Sequence, residues 1–101
     1  MTDFLVRIEL IHNPATPTED DYKHLHQRME AAGFNRTIVG SSNQKLALPP
    51  AEYFGSGVID ILNVRAIVVK AVSNGLRGGL SFRVFVAEVR TWASHNLAPA
   101  A

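Results

Sequence analysis

Cysteine is absent from this chain. That excludes a disulfide framework, thiol catalysis and cysteine-ligated metal, and it suits a reducing compartment. No apolar run approaches the roughly 20 residues of a membrane span. The first residues carry no basic segment followed by an apolar one, so no signal peptide is expected. Excess charge is missing too: ten Lys and Arg stand against nine Asp and Glu, for a net charge of +1. No global field therefore draws the chain to nucleic acid or membrane, and an RNA-binding role would need a local cluster of arginines. Internal repeats and low-complexity segments are lacking as well. A soluble, cytoplasmic protein is the expectation.

What is present is a 101-residue chain with 47% hydrophobic residues, enough for one core and too short for two. Residues 1–93 are expected to form the single domain, and residues 94–101 a disordered tail. Residues 21–38 organise the rest. Tyr22, Leu25, Met29 and Ala32 recur at steps of three and four and line one helical face. His26 sits at its flank as a packed, hydrogen-bonded histidine, and Lys23, His24, Gln27, Arg28 and Glu30 point away. Thr18 with Asp21 three residues on forms an approximate capping box, and Glu19, Asp20 and Asp21 place negative charge at the positive end of the helix dipole. Gly33 is the expected left-handed stop, with Phe34 folding back onto the apolar face.

Residues 4–12 alternate, Phe4, Val6, Ile8 and Leu10 on one side and Leu5, Arg7, Glu9 and Ile11 on the other. Residues 36–39 read as a second strand, Gly40-Ser41-Ser42-Asn43 as a turn, and residues 45–48 as a third strand that Pro49-Pro50 interrupts and residues 51–54 resume. Gly55-Ser56-Gly57 reads as a hinge, with Ser56 capping a very apolar helix over residues 58–74 that stops at Asn74-Gly75. Arg77-Gly78-Gly79 turns into a final strand over residues 81–90. The order βαββαβ predicts an α+β, ferredoxin-like sandwich: a four-stranded antiparallel sheet with both helices on one face. Arg7, Glu9, Arg83 and Phe85 then gather on the uncovered face. A homodimer through that face or through a sheet edge is expected.

Several of these residues are familiar as a set. Val6-Arg7-Ile8-Glu9-Leu10, then Tyr22, Leu25-His26, Met29, Gly33-Phe34 and Arg36-Thr37-Ile38, then Leu48-Pro49 and Ala51-Glu52-Tyr53, resemble the small bacterial GhoS-like family. The resemblance covers about the first half of the chain. It implies a ferredoxin-like fold and an antitoxin of the type V toxin–antitoxin kind, an endoribonuclease that cleaves a toxin's message. The expected partner is then single-stranded RNA, with neither DNA nor membrane, and with no cofactor or metal.

RNA strand cleavage needs a base for the 2′-hydroxyl proton, an acid for the leaving oxygen and cations for the phosphate. Glu9 or His12 would carry the proton and Arg36 would help hold the phosphate, making these three the catalytic candidates. Arg7 and Arg83 would bind phosphate through their planar forks, and Phe85 would stack a base. The plainer readings are a solvated cross-strand ion pair for the charged residues and a buried or dimer contact for Phe85. His24 and His26, two apart on a helix, point to different sides and do not share a metal ion. Two further classes stay open. A protein-binding module would use Leu5, Ile11 and Phe85 as an apolar patch. A small-molecule enzyme would enclose a pocket between sheet and helices, with His26 or Tyr53 inside.

Overall fold

A computed structural model describes residues 1–40 and 42–100. Ser41, read as part of a turn, and Ala101, read as tail, lie outside the described residues. Seven elements follow one another: β1 (Thr2–His12), α1 (Glu19–Ala31), β2 (Thr37–Val39), β3 (Lys45–Ala47), β4 (Glu52–Gly57), α2 (Ile61–Ser73) and β5 (Leu80–Val89). β1 is the centre of a three-stranded antiparallel sheet in the order β4-β1-β5, and β2 and β3 form a separate hairpin.

The architecture is α+β, but the sheet is not four-stranded. The expected third strand is two strands, because Pro49 and Pro50 end β3 and β4 starts afresh after Ala51. The hairpin is tied to β4 by one bridge, in which Asn35 and Phe54 exchange both backbone hydrogen bonds at 2.9 and 2.8 Å. One residue later the Arg36 carbonyl already accepts from the Leu48 amide of the hairpin's other arm.

α1 follows its sequence closely. Thr18 and Asp21 cap each other reciprocally, and Gly33 takes φ +95° just past the helix. Phe34 is buried. It lies so close to β4 that a Cβ on Gly55 would come within 2.7 Å of its ring. Gly55 is thus a strand residue kept small for Phe34, and not part of a hinge. Asp60, not Ser56, caps α2, accepting from the Asn63 amide at 2.9 Å.

Alternation along β1 sends Phe4, Val6, Ile8 and Leu10 into one core with Leu25 and Met29 of α1 and Val64, Val68 and Val72 of α2. Both helices therefore cover the same face of the sheet. Their mutual packing has a polar tie: Arg28, expected to face solvent, crosses to α2. It donates from Nε to the Ala71 carbonyl (2.9 Å) and from a terminal nitrogen to that of Val72 (3.2 Å). These are last-turn carbonyls without helical partners, and a cation suits that end of the dipole. A second tie fixes the other end of α1, where Arg77 grips Asp21 through two hydrogen bonds of 3.0 and 2.9 Å.

The segment expected to be a disordered tail returns to the hairpin. The Ala47 amide donates to the Ala98 carbonyl at 2.9 Å, and the Ala100 amide to that of Lys45 at 3.0 Å. Leu97 and Trp92 line a cleft with Ile38 and Leu48 of the hairpin and with Leu5, Phe54 and Val89 of the sheet. The face away from the helices is thereby flanked by hairpin and tail at its Leu5 end and left open at its Glu9 end.

Candidate nucleic-acid interface

Residues opposed across an antiparallel pair share a face. The register sets Arg7 opposite Phe85 and Glu9 opposite Arg83, so all four project from the side away from the helices. Together with Tyr22 and Ala51 they line a shallow cleft of about 560 Å³. Phe85 is 64% exposed, a large apolar ring standing in water. Arg83 donates to Glu9 Oε1 at 2.7 Å, with both side chains mostly exposed. Such a pair contributes at most about 1 kcal/mol and gives way readily to a stronger anion. Arg7 makes no ion pair among the described residues. The arrangement offers an aromatic plane flanked by two guanidinium groups.

The proposed catalytic trio does not come together. Glu9 and His12 are three apart on one strand, so the period of two sends them to opposite faces. Arg36 lies beyond β4, which separates it from β1. It lines another cleft, of about 750 Å³, with His26, Glu30, Lys45 and Trp92. No base, acid and cation among these three face one point.

His26 and Tyr53 form a centre of their own. The imidazole Nδ1 and the Tyr53 hydroxyl are 2.7 Å apart. Tyr53 is fully buried, and that burial pushes its hydroxyl up to about 12, with nearby Arg36 working against the shift. Burial, and then the charge of Arg36, holds His26 below its ordinary value. A neutral imidazole and a neutral phenol can share this hydrogen bond in either direction, according to the tautomer, so the contact needs no charge. Tyr22, one turn before His26, takes the β1 amide of Leu10 at 3.2 Å, where β4 has already ended. Tyr53 thus belongs to the packed interior. Trp92 was not singled out from the sequence; it lines three clefts, two of them together with residues of the returning tail, which no local pattern announces.

Among the described residues no group of three or more His, Asp or Glu side chains is placed to hold a metal ion. No helix is long and apolar enough to cross a membrane. No protein-family model, curated protein or solved structure matches this chain.

Proposed function

We propose that this chain is a GhoS-like, ferredoxin-like protein that binds single-stranded RNA on the open half of its sheet. In this reading Asn35 and the hairpin after it stand for the fourth strand, attached to β4 at one rung. Phe85 stacks a base, Arg7 and Arg83 hold the flanking phosphates, and Glu9 releases Arg83 when the anion arrives. The observation that carries the reading is the 64% exposed Phe85 directly opposite Arg7 on a sheet face. Strand cleavage by Glu9, His12 and Arg36 acting together is not part of it, since their side chains diverge.

The test is fluorescence anisotropy with labelled single-stranded RNA in EDTA, with a gel for cleavage products. Base stacking contributes about 1–3 kcal/mol, so Phe85→Ala should weaken binding at least about fivefold. Arg7→Ala with Arg83→Ala should weaken it further and flatten the salt dependence by about 0.7 per lost phosphate contact. Each of these side chains is exposed, so thermal unfolding should stay nearly unchanged. Equal affinity in wild type and the double-arginine variant would overturn the reading.

A further inference from the structure

We infer that this chain forms a dimer by pairing the outer edge of β5 with the same edge of a second copy, α2 packing beside α2. This inference does not rest on the RNA reading.

The backbone accounting comes first. Phe54 exchanges both of its bonds with Asn35, on the side of β4 away from β1. Its neighbours Tyr53 and Gly55 therefore bond to β1, through Val6 and Phe4. The even residues of β1 thus turn toward β4. Beyond the end of β4 the same parity holds, with the Ile8 amide reaching the Ala51 carbonyl and the Leu10 amide the Tyr22 hydroxyl. The odd residues of β1 bond to β5, engaging Arg83, Phe85 and Ala87. The main-chain groups of Phe82, Val84, Val86 and Glu88 then face outward, with no partner among the described residues.

An unpaired edge is ordinarily protected by a bulge, a proline, charged side chains or a covering segment. β5 has neither bulge nor proline, and its charges are confined to Arg83 and Glu88. Its pairing with β1 runs unbroken from Leu80 to Val89, and its sequence LSFRVFVAEV contains no Pro, Gly or Lys.

The core is also unfinished on this side. Phe82, Val84 and Val86 face the helices but remain partly exposed, whereas Val6, Ile8 and Leu10 on the neighbouring strand are buried. α2 carries the matching feature. Its row Val64, Val68 and Val72 is buried. Ile67 and Ala71 lie on the flank toward α1, where Ile67 lines a cleft with Ala32 and Gly33 and the Ala71 carbonyl takes Arg28. Helical spacing places Leu62 and Val69, with the exposed Arg65 between them, on the other flank, toward the β5 edge. There Leu62 is 63% and Val69 39% exposed. Two strand spacings are about one helix diameter, so continuing the sheet through β5 continues the helix layer with it.

The edge is self-complementary. With the two-fold axis at Val84, the free groups of Val84 would pair with their own copy and Arg83 would lie opposite the partner's Phe85, twice, within reach of a cation–π contact. Moving the axis to Arg83 would oppose like charges.

The full chain is examined by sedimentation equilibrium up to about 100 μM, a range that detects any dimer of biological strength. The expected mass is twice the 11.1 kDa of the chain. Leu62→Glu with Val69→Glu alters exposed side chains only, so circular dichroism should be unchanged while dimer affinity falls at least about 100-fold. Val84→Pro removes an outward-facing amide without breaking a bond to β1 and should have the same effect. If that proline impairs folding, the α2 pair decides alone. A monomeric wild type, or a dimer that survives the α2 substitutions undiminished, would overturn the inference.

Discussion

The pair formed by His26 and Tyr53 shows how burial turns two ordinary side chains into a pH-dependent element of stability. Tyr53 begins near 10.0 when unfolded and is pushed up to about 12 in the fold. Its folded value lies above its unfolded one, so its contribution is whole below pH 10 and is lost as pH rises toward 12. His26 works in the other direction. Its folded value is held below 6.5, so as pH falls under 6.5 the unfolded chain takes up a proton that the folded chain refuses. Stability therefore declines on the acid side until the folded imidazole also titrates. Urea unfolding across pH should show both slopes. Tyr53→Phe should cost about 1 kcal/mol at neutral pH and remove the alkaline slope relative to wild type. Persistence of that slope in the variant would assign it to another group.

Elements are joined here by arginines that periodicity alone does not explain. Arg28→Ala strips two charge-assisted bonds from the last turn of α2. At about 1.5 kcal/mol or more for hydrogen bonds to a charged group, it should lower Tm by several degrees in a domain of this size. A melt indistinguishable from wild type would show that water satisfies those carbonyls equally well. The case also shows which features were legible. The limits of α1 were readable because Thr18, Asp21 and Gly33 act within a few residues of one another. The grouping of Arg7, Glu9, Arg83 and Phe85 followed from alternation, once the first and last strands were taken as neighbours. The start of α2 was misread: Gly55-Ser56-Gly57 has the composition of a hinge, and only the approach of Phe34 explains a glycine inside a strand. Arg36 was assigned to the site as a cation for phosphate, but its position relative to Glu9 depends on where the hairpin departs from β4, a tertiary fact settled at Asn35 and Phe54.

At the scale of the whole molecule, the helices cover one side of the sheet and the hairpin with the tail borders half of the other. The tail's place rests on two backbone bonds to β3 and on Leu97 and Trp92 beside Leu5, Ile38 and Phe54. The main core contains none of the tail residues. A chain ending at Ala93 should therefore fold, with Tm lower by about 5–10 °C for a loss of about 1–2 kcal/mol. Its hairpin should be loosened selectively: the Ala47 amide, deprived of the Ala98 carbonyl, should lose hydrogen-exchange protection while Val6 and Val68 keep theirs. Uncovering Leu5, Ile38 and Phe54 should raise binding of an apolar dye. RNA affinity should hold, because Arg7, Arg83 and Phe85 lie at the other end of the face. Global unfolding on truncation would show that the tail is part of the cooperative core. Lost RNA affinity with the fold intact would move the binding surface toward the cleft beside Leu5 and Phe54, which Leu97 of the tail lines.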